Sequence, residues 1–86
     1  MRIISQDGNI DLPYEDTVIH TEYFKLESRV VVAIFKGEKY TLGTYSTEAK
    51  AIKAMEMLRK AWKFETGIYH GNNIFRFPKD DDERLN

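Results

Sequence analysis

Residues 29–64 read RVVVAIFKGEKYTLGTYSTEAKAIKAMEMLRKAWKF, and this stretch decides the fold of the chain. Its first part, Val30–Phe35, is rich in β-branched residues and favours a strand, because such side chains pack well on a pleated surface. A turn over residues 36–38 follows, and the alternation from Lys39 to Tyr45 predicts a second strand. The stretch therefore begins as two neighbouring strands joined by a short turn.

The second half of the stretch predicts one long helix, from Ser46 to about Phe64. Ser46 is a good N-cap residue, and Glu48 in the first turn complements the positive end of the helix dipole. Apolar residues recur at the spacing of one helix face, at Ala51, Met55, Leu58 and Trp62. The helix therefore has one apolar face with which it can pack on a sheet.

Shorter strands are predicted on both sides of this stretch, separated by turn-forming residues and prolines. The candidates are residues 2–5, 10–12, 17–24 and 74–77. Together they predict an α+β fold, a small antiparallel sheet of four to five strands with one long helix packed on one face. We expect a single domain over residues 1–78 and a disordered acidic tail over 79–86. The expected core is Ile4, Val18, Val31, Ala33, Phe35, Leu42, Ala51, Met55, Leu58 and Trp62.

Several classes of chemistry lack the residues that they need. The chain contains no cysteine, and its two histidines, His20 and His70, lie far apart in the sequence. A disulfide framework, a thiolate metal site and a cysteine nucleophile are therefore excluded, and no histidine pair has metal-ligand spacing. The sequence also has no glycine-rich phosphate loop. We expect no cofactor, no metal, no catalytic residues and no enzymatic activity.

The hydropathy pattern bears on where the protein works. No segment approaches the roughly 20 consecutive apolar residues that span a bilayer, and residues 1–8 do not resemble a signal peptide. The absence of cysteine also fits a reducing compartment. We therefore expect a cytoplasmic protein with no membrane partner.

Positive charge is concentrated in the middle of a chain whose net charge is −1. Residues 25–63 carry nine basic and four acidic side chains. On the predicted helix, Lys50, Lys53, Lys60 and Lys63 lie away from the apolar face. Such a face is able to contact phosphates, and it is equally typical of a solvated surface on which Glu56 pairs with Lys60.

Aromatic residues are numerous for a small domain, with five Tyr, five Phe and one Trp. Tyr23, Phe24, Phe75 and Phe77 lie in the weaker strand candidates. Exposed aromatic strands often mark an interface, and buried ones form ordinary core. The sequence leaves both interpretations of these four residues open, and a homodimer interface is the functional one.

Most of the chain resembles a group of small uncharacterised proteins from phages and prophages of Gram-positive bacteria. The likeness rests on MRIISQDG (residues 1–8), IDLPYE (10–15), YSTE (45–48), KAMEMLR (53–59) and FP (77–78). The resemblance implies a phage or prophage setting in a bacterial host cell. It implies no mechanism.

A shorter part is similar to plant ethylene-response-type DNA-binding domains and to the arm-binding domains of phage integrases. The likeness rests on RVVVA (29–33) and LGTYSTEA (42–49). In those domains a three-stranded sheet enters the major groove and a helix packs behind it. The resemblance implies nucleic-acid contacts from Arg29, Lys36, Lys39 and Tyr40, to which the helix would add Lys53 and Lys60.

Three functional hypotheses follow. The first is a non-enzymatic phage or prophage accessory protein that binds a host or phage macromolecule, acts as a homodimer, and has counter-defence as one open role. The second is a sheet-based DNA-binding module. The third is a small-nucleotide-binding protein whose site lies at an oligomer interface.

Overall fold

The computed structural model describes residues 1–67 and 74–86. Its elements in chain order are β1 (Arg2–Ile4), β2 (Asp11–Pro13), β3 (Val18–Tyr23), β4 (Arg29–Phe35), β5 (Glu38–Tyr45), α1 (Glu48–Gly67) and β6 (Ile74–Arg76). Single turns of 3-10 helix lie at Tyr14–Asp16 and Glu83–Leu85. The helix packs against the strands, so the predicted α+β class is confirmed. His70 lies outside the described residues.

The main sheet is antiparallel, with β4 in the centre and β3 and β5 at its edges. The predicted turn between β4 and β5 is confirmed. Lys36 and Gly37 have φ angles of 52° and 81°, which together are typical of a two-residue type I′ hairpin turn. Glycine adopts such an angle readily because it has no Cβ.

A second, smaller sheet has the order β2-β1-β6. Strand β1 pairs antiparallel with β2 and parallel with β6. The strands of the described residues therefore form two three-stranded sheets, whereas the sequence predicted a single antiparallel sheet of four to five strands. The parallel pair joins chain segments from opposite ends of the molecule, and no local sequence pattern encodes such a crossover.

The N-cap lies one residue later than predicted, at Thr47, and α1 runs from Glu48 to Gly67 where the sequence predicted Ser46 to about Phe64. The Thr47 hydroxyl oxygen accepts a hydrogen bond from Lys50 N at 3.2 Å, which satisfies one of the free amides of the first turn. Ser46 is used differently. Its main-chain amide donates to Asp80 Oδ1 at 2.9 Å, so Ser46 links the start of the helix to the C-terminal segment.

One core lies between the helix and both sheets. Five expected core residues are buried in it, namely Val31, Ala33, Leu42, Ala51 and Leu58, and three more are partly buried against it, namely Phe35, Met55 and Trp62. Two expectations were wrong. Val18 is 62% exposed because it begins an edge strand, and Ile3 is fully buried in place of Ile4, since only every second residue of β1 points inward.

Phe75 and Phe77 belong to this core as well. Phe75 is 9% exposed and Phe77 is fully buried, and their rings meet edge to face at 5.2 Å between centroids. Because β6 pairs with β1 inside the domain, these rings lie beneath the small sheet and do not reach the surface. Of the four aromatic residues predicted as an interface, only Tyr23 and Phe24 are therefore exposed.

Residues 79–86, which the sequence predicts to be a disordered acidic tail, contact the domain in the structure. Leu85 is 6% exposed within the core, and Lys50 donates to the main-chain oxygen of Asp80 at 2.8 Å. Arg84 donates to Asp82, and this hydrogen bond lowers the pKa of Asp82 to about 2. One apolar anchor among the charges therefore fixes the tail to the domain.

Candidate interaction surface

Strand β3 presents unused backbone groups along one side, which we call the open edge. At the end of the β3–β4 hairpin, Phe24 N donates to Ser28 O at 3.2 Å, so Phe24 faces β4. The direction of the backbone groups alternates along an antiparallel strand. The N–H and C=O groups of Ile19, Thr21 and Tyr23 therefore point away from β4.

Within residues 1–67 and 74–86, only β4 pairs with β3. The contact that His20 Nδ1 makes with the outward Thr21 O is long, at 3.4 Å. The open edge is consequently a row of donors and acceptors spaced for pairing with another strand.

The other edge of the main sheet is covered. Gln6 N donates to Leu42 O at 2.6 Å. The Gln6 side chain accepts from Thr44 N at 3.0 Å and donates to Thr44 O at 3.2 Å and to Pro78 O at 3.0 Å. One glutamine thus satisfies three outward backbone groups of β5 and joins the two sheets.

Exposed apolar side chains accompany the open edge. Among the described residues, four of the seven large apolar side chains that are exposed fall between positions 18 and 26: Val18, Tyr23, Phe24 and Leu26. Because side chains alternate along a strand, Val18 and Phe24 lie on the face of the sheet away from the helix and Tyr23 lies on the opposite face. The exposed apolar side chains therefore flank the open edge on both faces, which favours an interaction surface.

Leu26 is the most unusual of these residues. Its side chain is 84% exposed, and its φ of 50° lies in the left-handed region, which a bulky residue other than glycine adopts at a cost. Glycine or asparagine would satisfy the turn with less strain. We call Phe24 and Leu26 the hairpin tip.

The outer face of the main sheet, away from the helix, carries paired charges. Lys39 Nζ lies 2.8 Å from a Glu22 carboxylate oxygen, and His20 Nε2 lies 3.7 Å from Glu22 Oε2. The histidine contact is an ion pair only when the imidazole is protonated. The positive charge of this face is therefore largely matched by Glu22.

The structure does not bring the predicted nucleic-acid-binding residues together. Arg29 lies on the helix face, where Nη2 is 3.3 Å from Glu48 and the guanidinium covers the Tyr23 ring at 5.1 Å. Tyr40 also packs against the core on that face, whereas Lys39 is on the outer face.

The remaining three residues of that set are equally scattered. Lys36 lies in the β4–β5 turn, and its ammonium is 5.3 Å from the centroid of the Phe35 ring. Lys53 and Lys60 lie on the helix. Lys53 Nζ lies 3.9 Å from Glu56 Oε2, whereas the sequence suggested that Glu56 pairs with Lys60.

A groove of about 500 Å³ borders the open edge on the helix face. Its apolar walls include Tyr14, Ile19, Met55, Leu58 and Trp62. The Tyr14 and Trp62 rings are 5.0 Å apart, and Arg59 adds a positive charge at the rim. Nearby Glu15 accepts from the Met1 ammonium at 3.0 Å, and this hydrogen bond lowers the pKa of the Glu15 carboxyl.

In the described parts of the chain, no group of three or more histidine or acidic side chains is arranged to hold a metal ion. No helix in those parts has the length and apolarity needed to cross a membrane.

The sequence predicted Tyr23 and Phe24 as interface residues, did not single out Leu26, and placed Val18 in the core. The signal for Leu26 was a bulky apolar residue in the short connection between the strands predicted at 17–24 and 30–35, where glycine, asparagine or aspartate is usual. Comparisons with protein-family models, with curated proteins and with solved structures found no match to this chain.

Proposed function

We propose that this protein is a non-enzymatic phage or prophage accessory protein that acts in the host cytoplasm by binding another protein through its hairpin tip. The phage setting is supported by the resemblance of residues 1–15 and of the later matching segments. Counter-defence is one role that such an accessory protein would serve.

The observation that carries the proposal is the conformation of Leu26. The turn would be more stable with glycine or asparagine, and the exposed side chain contributes no burial to its own fold. Leu26 and Phe24, which are 84% and 52% exposed, form an apolar surface that a contact with a second molecule would bury.

Leu26→Asn separates binding from folding. Asparagine adopts the left-handed region more readily than leucine, so the free energy of unfolding should stay the same or rise by about 0.5–1 kcal/mol. A buried leucine contributes about 1.5–3 kcal/mol to a contact, so binding should weaken on the order of 10- to 100-fold.

Lys36→Asn is the matched control. Lys36 occupies the opposite hairpin with a φ of 52° and carries a polar side chain, so its replacement makes the same backbone change away from the tip. Wild type and both variants would be immobilised and exposed to lysate of a Gram-positive host with and without phage. Captured proteins would be quantified by mass spectrometry.

A captured protein counts only when its direct binding is reproduced with purified components by calorimetry. We expect at least one host or phage protein to bind wild type and Lys36→Asn and to be lost with Leu26→Asn. If every captured protein binds all three forms equally, the tip is not the binding surface and the proposal fails.

A further inference from the structure

We propose that the open edge of β3 binds the β3 strand of a second copy of this chain, antiparallel and centred on Thr21, to form one continuous six-stranded sheet. The inference deepens the proposed function, on which it rests for the premise that the β3 hairpin is a binding surface. It identifies the partner of the open edge as a second copy of the chain, whereas the proposed function concerns the hairpin tip beside that edge.

The backbone geometry limits the possible registers. Outward N–H and C=O groups occur at every second residue, at Ile19, Thr21 and Tyr23. We consider a two-fold axis that relates the two copies and keeps both helices on one face. The outward N–H and C=O groups of one copy then face those of the other only when the axis lies level with a residue of β3, so that this residue meets itself. His20, Thr21 and Glu22 are the central choices.

Side-chain pairing favours Thr21 among these three. A centre at Glu22 places two carboxylates directly opposite each other, and like charges in that position are destabilising. A centre at His20 places two imidazoles opposite each other and sets apolar Val18 against the carboxylate of Glu22 in the other copy. Both of these registers leave an unfavourable pair.

A centre at Thr21 gives only favourable pairs. Thr21 meets Thr21 of the second copy, and His20 meets Glu22 twice, once on each side of the axis. On the outer face Val18 meets Phe24. Threonine pairs and pairs of aromatic with β-branched residues are stabilising across strands. His20 and Glu22 form an ion pair when the imidazole is protonated, and the neutral ring still donates a hydrogen bond to the carboxylate.

In the same register, the Tyr23 side chain of the second copy reaches the groove on the helix face. Ile19 lies opposite Tyr23 of the second copy, and Ile19 also lines the 500 Å³ groove. The Tyr23 side chain, which is 66% exposed in one chain, therefore lies at the groove entrance. Arg59 at the rim is suitably charged to contact the face of that ring.

Thr21→Pro tests the pairing. Proline removes the outward N–H and adds a ring at the dimer axis, yet the N–H that it removes makes no bond to β4, and edge strands tolerate proline on their open side. Thr21→Val is the matched control, since it keeps the N–H and the β-branched shape. Light scattering over a range of concentrations gives the mass of each form.

We expect wild type and Thr21→Val to have the mass of two chains. Thr21→Pro loses one hydrogen bond from each copy, so its dimer dissociation constant should rise on the order of 100-fold. Its circular dichroism should match that of wild-type chains diluted to monomer. A monomeric wild type, or a folded Thr21→Pro dimer of unchanged affinity, would overturn the inference.

Single-cysteine variants report the register of the two strands, because the natural chain contains no cysteine that would compete. Under mild oxidation Thr21→Cys should form a disulfide-linked dimer, since residues directly opposite are about 5.5 Å apart between Cα atoms. His20→Cys and Glu22→Cys should link at least about tenfold more slowly, because each then faces the other position. Fastest linking at 20 or 22 would refute the Thr21 register.

Failure here and failure of the proposed function give different results. A monomer that still captures a host or phage protein through Leu26 refutes the dimer and leaves the proposed function standing. A dimer that depends on Thr21 but captures no protein through Leu26 supports the dimer and refutes the accessory role.

Discussion

The two edges of the main sheet are treated in opposite ways. At β5, the main chain and side chain of Gln6 bond to Leu42 O and to both backbone groups of Thr44. At β3, the corresponding outward groups of Ile19, Thr21 and Tyr23 have no strand partner among the described residues. The chain therefore closes one edge with its own N-terminal segment and leaves the other available.

The two edges differ in how far the chain protects them from other strands. An exposed, unpaired edge is a risk for aggregation, and proteins usually shorten it, charge it or cover it. Here β3 carries Val18, His20 and Glu22 on its outer face and Tyr23 on the helix face, so Glu22 is its one acidic side chain and apolar residues lie on both faces. An edge of that kind is better suited to a specific partner than to solvent.

The largest loss of stability should come from removing a buried side chain beneath the small sheet. Phe77→Ala removes a fully buried ring beneath the small sheet, and we expect it to lower the free energy of unfolding by about 3–5 kcal/mol. Phe24→Ala at the tip should change it by less than about 0.5 kcal/mol, because that ring is half exposed. Denaturant titration measures both.

Both substitutions belong in the Thr21→Pro background, so that dimerisation does not add to the measured stability. If Phe24→Ala cost as much as Phe77→Ala, the tip would be part of the core, and the contrast between the two edges would be lost.

The sequence predicted the elements better than their partners. The turn at Lys36-Gly37 and the apolar face of α1 could be recognised because hairpin turns and helix periodicity are local signals. The pairing of β6 with β1 could not, since it is set by burial of Phe75 and Phe77 between distant segments. The burial of Leu85 could not be predicted for the same reason, because one leucine among charges is a weak local signal.

The candidate surface was only partly predictable. Tyr23 and Phe24 were identified as interface candidates from composition alone. Which edge stays open depends on Gln6, whose bonds to Thr44 and Pro78 join segments that are far apart in the chain. A single sequence carries no local mark of that contact.

An intermediate effect should follow when the β5 edge is uncovered. Gln6→Ala removes hydrogen bonds to Thr44 N, Thr44 O and Pro78 O, and we expect a loss of about 2 kcal/mol in the free energy of unfolding. The Thr44 amide should also exchange faster with deuterium, because it loses its acceptor. Exchange measured by NMR compares this edge directly with β3.

Gln6→Met keeps the length of the side chain without its hydrogen bonds, so it should lose nearly as much stability as Gln6→Ala. If Gln6→Met were as stable as wild type, packing of the side-chain stem would be what closes the edge. The Thr44 amide would then remain protected in that variant.

The smallest effect should come from Tyr45, the last residue of β5. Its buried hydroxyl donates to Pro78 O at 2.6 Å, so Tyr45→Phe should cost about 1 kcal/mol at neutral pH. The cost is modest because Pro78 O also accepts from Gln6 Nε2. Calorimetry or denaturant titration at pH 7 measures the difference.

Stability measured at alkaline pH separates the contribution of the Tyr45 hydroxyl from that of the packing of its ring. Burial, and after it the charges of Asp80 and Asp82, raise the pKa of Tyr45 above its ordinary value of 10.0. The folded chain therefore keeps this proton at pH values where the unfolded chain has lost it, and the stability due to the buried hydroxyl is complete below pH 10 and declines above it. Wild type should then lose stability faster than Tyr45→Phe as the pH rises past 10. Parallel pH profiles for the two proteins would mean that the hydroxyl is open to solvent and that Tyr45 does not fasten β5 to the C-terminal segment.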